Sequence, residues 1–497
     1  MTYSYHIFYY PFRWDIKNDN HTLLSERVDL ERIHISPTSH WERVQVQTEE
    51  KDRQFLYNEK NYYYPFVHKI LYDESNNKTN LIYHFERREM KNTTNLVNYL
   101  IKVPGRDKVC VLTVDAINLN LYATGIGLLS FYLRNEQDEQ QDRDTVLAIN
   151  QFGRRIMPPF YAEIDSQHRI ETCDYIRIEG LNSTKDYYED FQQYNENDSW
   201  RQASFITHLI DDLTDDITTT PIIDDRLFVV SWYQNKELSS IVKNDAKAYC
   251  DNKLDFSNFW YRFLFVDNQY ETCQNDEMKC KLLTNQTYLR WQKYGSLYGV
   301  SRYSLVFLSD VAGPYTQHLF DTFQTIYARL VELVLVQRAS MLRFSAEVTD
   351  VSSLTNQDVN TVSTRISSLY KEYIRFMNQI YFREVTAQDQ GIELYNLLHN
   401  TLKLEDYVKD LDNDIEELHQ YVSLNEDRFR NRQAGWLNVF AAIFLPVTII
   451  TGFFGMNNWS DIITDPTDYN LVWKILWLLF GIGSILLILQ IKRKKKL

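Results

Sequence analysis

The residues with the most evident chemistry lie at 451–470, TGFFGMNNWSDIITDPTDYN. Gly455, Met456 and Asn457 form a Gly-Met-Asn triplet, and Asp461, Asp465 and Asp468 follow with no Lys or Arg among them. Carboxylates gathered in one loop raise the local concentration of cations and can funnel them toward an opening. A plainer role for the same acids is to keep a short loop soluble. What needs explaining is the setting: this acidic, amide-bearing loop is flanked on both sides by long apolar runs.

The first run, at 436–454, is WLNVFAAIFLPVTIITGFF; the second, at 471–491, is LVWKILWLLFGIGSILLILQI. A helix needs about 20 residues to cross the ~30 Å hydrocarbon core of a bilayer. Length and hydropathy therefore predict a transmembrane helix at 434–454, an outer loop at 455–470, a second transmembrane helix at 471–491 and a basic tail at 492–497. The tail, KRKKK, is held in the cytosol by the positive-inside rule, and two crossings return the N-terminus to the same side. The expectation is a multi-pass protein of the cell's inner (plasma) membrane with both termini cytoplasmic. Lys474, one turn into the second run, is placed to snorkel toward the outer surface.

The chain has 497 residues and a net charge of -14. Residues 434–497 carry six basic side chains against three Asp, so the first 433 residues hold -17. Such an acidic body excludes direct nucleic-acid binding as an expected role. The five cysteines make no CxxC pair and no zinc spacing, and read as reduced thiols. The opening MTYSYHIFYYPFRW has no signal-peptide pattern and alternates as a strand.

Residues 1–310 read as an α+β cytosolic domain. INLNLY (117–122) and GLLSFYL (127–133) suggest a hairpin, and RLFVVSWY (226–233) and FWYRFLFV (259–266) read as buried strands. Acidic loops are expected at 135–144, 194–200 and 211–225. Residues 311–433 read as a helical stalk. Leu319, Phe323, Ile326, Leu330 and Leu333 recur at helical spacing. Further on, Leu404, Val408, Leu411, Ile415, Leu418 and Val422 form a heptad-like seam, extended by Leu394 and Leu397 on one side and Phe429 on the other. With no Pro or Gly between Ile392 and Ala434, one uninterrupted helix is expected to run from this seam into the first span. Within that span Pro446 removes a backbone donor, and Thr448 is placed either to cap the freed carbonyl or to face a pore.

The stretch NRQAGWLNVFAAIFLPVTIITGFFGMN (431–457), followed by a second apolar run and a basic tail, resembles the CorA family of divalent-cation channels. The resemblance covers residues 315–497 and implies a homopentamer in a lipid bilayer. It implies that the first span lines the pore through Asn431, Leu437, Asn438, Leu445, Thr448 and Gly452. Gly455, Met456 and Asn457 would form the selectivity ring, with Asn457 the metal-facing group and Mg²⁺ the transported or regulatory ion. The chemistry agrees: Mg²⁺ sheds its waters reluctantly, and amide oxygens can accept hydrogen bonds from a hydrated ion. Phe454 stands where relatives often have Tyr, and Ala434 where many carry a pore-constricting Met. NWSDIITDP replaces the usual Met-Pro-Glu-Leu type segment, so the outer acidic ring would be built differently.

Segments 121–133 and 149–160 are similar to CorA-like membrane proteins encoded with type III CRISPR systems. That similarity implies an antiviral effector gated by a nucleotide messenger, a conjugate of S-adenosylmethionine and AMP (SAM-AMP). The alternative is a housekeeping Mg²⁺/Co²⁺ uptake channel gated by intracellular Mg²⁺. On chemistry alone, Arg154 and Arg155 could clamp a phosphate or pair with the acidic surface. The tyrosines and glycines of 294–304 could stack a base or fill a core and turn. Gly125-Ile126-Gly127 lacks the Lys and spacing of a phosphate loop and reads as a tight turn. A third class, a membrane-anchored enzyme, finds no GxSxG, HExxH or P-loop to support it, so the chain is not expected to be an enzyme.

Overall fold

The computed structural model describes residues 3–454 apart from 18–22, 45–58, 74–79, 92–95, 158–171, 182–185, 193–200, 225, 252–254, 311–315 and 353–358. The chain divides into two compact units, Met1–Ile415 and Glu416–Leu497.

The first unit is built on one mixed sheet. Its described strands are β1 (Tyr3–Ile16), β2 (Trp41–Arg43), β3 (Ile82–Arg87), β4 (Asn98–Lys102), β5 (Cys110–Tyr122), β6 (Ile126–Asn135), β7 (Tyr175–Glu179), β8 (Tyr188–Asp190), β9 (Ile217–Pro221), β10 (Phe228–Gln234), β11 (Thr287–Tyr288), β12 (Leu297–Val300) and β13 (Ser304–Ser309). They run in the order β11-β12-β13-β10-β1-β6-β5-β4-β7-β8, with β2 and β3 branching from β5 and β9 joining β1. The expected opening strand is the central β1, antiparallel to β6 on one side. On its other side it pairs with β10 as far as Tyr9 and with β9 from Phe12 onward. Pro11, which has no N–H to give, sits in the gap between those two partners, where a central strand can accept proline.

The expected β5–β6 hairpin forms, and it turns through Gly125 at φ +74. RLFVVSWY supplies β10, buried throughout and parallel to β13. FWYRFLFV corrects the expectation: it lies in helix Asp255–Phe265, not in a strand. Phe256, Phe259, Trp260, Phe263 and Leu264 are buried at the 3–4 spacing of a helix face. Read as a short apolar run, the aromatic block hides that period. Within the expected acidic loop at 211–225, Ile217–Pro221 is strand β9, and at 135–144 helix α1 (Arg143–Gly153) begins with Asp142 capping the Thr145 N–H.

The helical expectation beyond residue 315 holds. Thr316–Thr322 leads through a π-helical turn at Phe323–Tyr327 into α2 (Ala328–Ser352), followed by α3 (Val359–Gln379) and α4 (Asp389–Leu402). The apolar VELVLVQ segment of α2 is buried against the sheet. The expected single helix from the seam into the first apolar run forms as α5 (Leu404–Phe454); only its backward extension is corrected, because Lys403 adopts φ +55 and separates α4 from α5. A lysine in the left-handed region leaves no Gly or Pro mark in the sequence. Leu404, Leu411 and Ile415 of the seam are buried. No helix among the described residues is long and apolar enough to cross a membrane; the run at 436–454 reaches their limit, and 471–491 lies outside them.

Candidate functional site

Helix α5 carries the first expected span, and its residues divide into two faces. Asn431, Asn438, Leu445 and Gly452 recur every seven residues and so share one stripe of the helix. Thr448, three residues after Leu445 and four after Phe444, and Leu437 lie on the flank between that stripe and the opposite face. Thr448 donates its hydroxyl hydrogen to the Phe444 carbonyl at 2.8 Å. Across the helix, Trp436, Phe440 and Phe444 form a ladder at four-residue steps, with neighbouring rings 6.3 and 6.4 Å apart. All three are more than half exposed, as are Leu437 at 71% and Leu445 at 62%. Large apolar groups held in the open in such density mark a surface made for an apolar environment. Gly455, Met456, Asn457, Asp461, Asp465 and Asp468 lie outside the described residues. Among the described residues no group of His, Cys, Asp or Glu is arranged to hold a metal ion.

In the first unit, Arg154 and Arg155 follow α1, and both are buried rather than spread on the acidic surface. Arg154 donates from Nη2 to Gln151 Oε1 at 3.2 Å, but among the described residues its Nε and Nη1 are buried with no hydrogen-bond partner. Its guanidinium lies 5.5 Å from the ring centre of Tyr303, inside cation–π range. Burial, with Arg226 and Arg155 close by, pushes Arg154 down to about 9. Of the flagged 294–304 stretch, Tyr298 is core, stacked on Phe307 with centroids 4.1 Å apart. Tyr303 is the member that reaches the arginines. The five cysteines are free thiols.

The sequence singled out Arg154, Arg155 and the stretch holding Tyr303, but missed Arg226. Arg226 reaches the site through its bridge to Arg155, a pairing across 71 residues of chain that no local pattern announces.

Residues 314–493 match the family model described as CorA-like Mg2+ transporter protein. No curated protein matches the chain. Over residues 314–493 the chain is thus similar to CorA-like Mg²⁺ transporters.

Proposed function

We propose that the chain assembles as a homopentameric divalent-cation channel of the inner membrane, with helix α5 around the pore and the sheet domain in the cytosol as its regulator. The single observation that carries this reading is the division of α5. The stripe through Asn431, Asn438, Leu445 and Gly452, flanked by Leu437 and Thr448, offers amides and a glycine to an axis, while the Trp436–Phe440–Phe444 ladder offers rings to lipid or a neighbouring helix. The runs at 434–454 and 471–491 are the two spans, and Gly455, Met456 and Asn457 form the mouth between them. Asn457 accepts hydrogen bonds from the ion's retained waters, and Asp461, Asp465 and Asp468 concentrate cations outside. The protein carries ions and turns over no substrate.

The regulator, on this reading, answers a nucleotide messenger of the SAM-AMP kind. The buried, incompletely partnered Arg154 supports an anionic ligand over a metal one. A ligand gates only by preferring one arrangement of the helices.

The test is flux into proteoliposomes loaded with a Mg²⁺-sensitive dye. Full-length protein should conduct when the messenger is added, and Asn457→Ala should cut the flux at least tenfold. Conduction no greater than that of empty vesicles, or an Asn457→Ala channel equal to wild type, would end the channel reading. If Mg²⁺ on the cytosolic side alone closed the channel and the messenger did nothing, the housekeeping alternative would replace the nucleotide one.

A further inference from the structure

Four segments far apart in sequence bring basic side chains to one place in the first unit. Arg154 and Arg155 end α1, Arg226 leads into β10, Arg302 and Tyr303 form the β12–β13 turn, and Arg338 stands on α2. Backbone bonds fix the convergence. The Leu227 N–H donates to the Arg154 carbonyl at 2.8 Å, and the Val229 N–H to the Tyr303 carbonyl at 2.9 Å. The guanidiniums of Arg226 and Arg154 lie 5.2 and 5.5 Å from the Tyr303 ring centre.

Among the described residues the donors are not all used: Arg338, like Arg154, has a buried Nε and Nη1 with no hydrogen-bond partner. Burial lowers the pKa of Arg338, and Arg302 lowers it further. Asp224 and Asp267 oppose the cluster, but Asp224 is already paired with Arg226 at 3.4 Å. Buried guanidinium donors left without acceptors are costly, and like charges held together add to that cost. A fold tolerates such an arrangement where an anion completes it. Arginine forks suit phosphate, which can accept two parallel bonds from each. Tyr303 is 36% exposed, so its ring is open to a planar group.

We propose that Arg154, Arg226, Arg302 and Arg338 bind the phosphate of a small nucleotide-like ligand, with the Tyr303 ring stacked on its base. The inference rests on the reading of the sheet domain as the channel's regulator and gives that regulation a place.

The test is calorimetric titration of the purified full-length protein in detergent with AMP, adenosine and inorganic pyrophosphate as probes. AMP and pyrophosphate should bind, more weakly as salt rises, and adenosine should not. Arg154→Met and Arg338→Met should each weaken both phosphate probes at least tenfold, the loss expected for one charge-assisted contact. Tyr303→Ala should weaken AMP and leave pyrophosphate unchanged. Should an arginine variant fail to fold, Tyr303→Ala, at the exposed edge, still carries the test. Arg290→Met, remote on the surface beside Glu393, should bind as wild type does. The site is overturned if wild type binds neither phosphate probe, or if folded Arg154, Arg338 and Tyr303 variants all bind like wild type. Flux on the same preparation separates the two claims. Conduction without phosphate binding removes the site and spares the channel, whereas binding without conduction removes the channel and spares the site.

Discussion

Arg343 and Arg154 are two buried arginines of the first unit, and the fold treats them in opposite ways. Arg343, on α2, donates from Nη1 to the carbonyls of Trp14 and Gly125 at 2.8 and 2.7 Å, and from Nη2 to Asp15 at 2.6 Å. Gly125 completes that fit: a Cβ there would come within 2.0 Å of Arg343 Nη1. Arg13 and Arg27 extend the network through Glu347. Arg154 has one side-chain bond, a ring beside it and two donors left over. Both are pushed below the usual guanidinium range by burial, Arg343 to about 10 and Arg154 to about 9, so burial alone does not separate them. Acceptors do. Arg343, with three bonds and only its Nε left over among the described residues, is a strut; Arg154, with one bond and its Nε and Nη1 left over, is where we propose that an anion fits.

The most severe way to test the comparison is to remove the strut. Arg343→Met takes a charged donor from the Trp14 and Gly125 carbonyls and leaves Asp15 with Arg13 and Arg27 alone, and should cost about 3 kcal/mol, as losing hydrogen bonds to a charged group does. The readout is the melting temperature of the full chain in detergent, which should fall by many degrees. A variant as stable as wild type would mean that this network contributes nothing net.

A buried base that can discharge offers a sharper case. His6 on β1 is buried, bonded through Nδ1 to Asn150 at 2.7 Å and through Nε2 to Ser4 at 3.1 Å. Desolvation lowers its pKa to about 4, against the side-chain bond to Asn150, which raises it. The unfolded chain therefore takes up the proton first as pH falls below 6.5. Stability is full above that value and is lost progressively toward pH 4. Between pH 7 and pH 5 this group should remove about 2 kcal/mol, and His6→Gln should erase that part of the pH dependence while wild type keeps it. Parallel pH profiles for the two would show that His6 is already charged in the fold.

These contrasts also mark what the sequence could disclose. The β5–β6 hairpin is a local pattern, written in neighbouring residues, so it was legible, whereas the triplet and the second apolar run lie outside the described residues. The seam was legible too, but its break at Lys403 was not, because a left-handed cap made by lysine, whose N–H closes α4 on the Asn400 carbonyl, carries no Gly or Asn mark. The aromatic helix Asp255–Phe265 was mistaken for a strand because its period is masked by rings at nearly every position. The arginine cluster was only half visible. Arg154 and Arg155 stand out as a pair, but Arg226, Arg302 and Arg338 join them only once β10, the β12–β13 turn and α2 have met. Nothing in the types of residues separated Arg343 from Arg154, since the acceptors that distinguish them come from residues 14, 15 and 125.

The smallest effect expected is the most telling, because its sign is reversed. Arg154→Met replaces a buried, partly satisfied charge with an apolar chain of similar length. It forfeits the Gln151 bond, worth about 1 kcal/mol, and a cation–π contact of about 0.5–1 kcal/mol. Against these it removes the desolvation cost of two unpaired donors and the repulsion from Arg226 and Arg155. The balance should favour the variant by about 1 kcal/mol in the absence of phosphate, seen as a melting temperature a few degrees above wild type. Adding AMP should narrow or reverse that gap, since ligand stabilises only the chain that binds it. If Arg154→Met instead melted well below wild type with no ligand present, Arg154 would be a strut like Arg343, and the distinction between the two regions would rest on geometry without consequence.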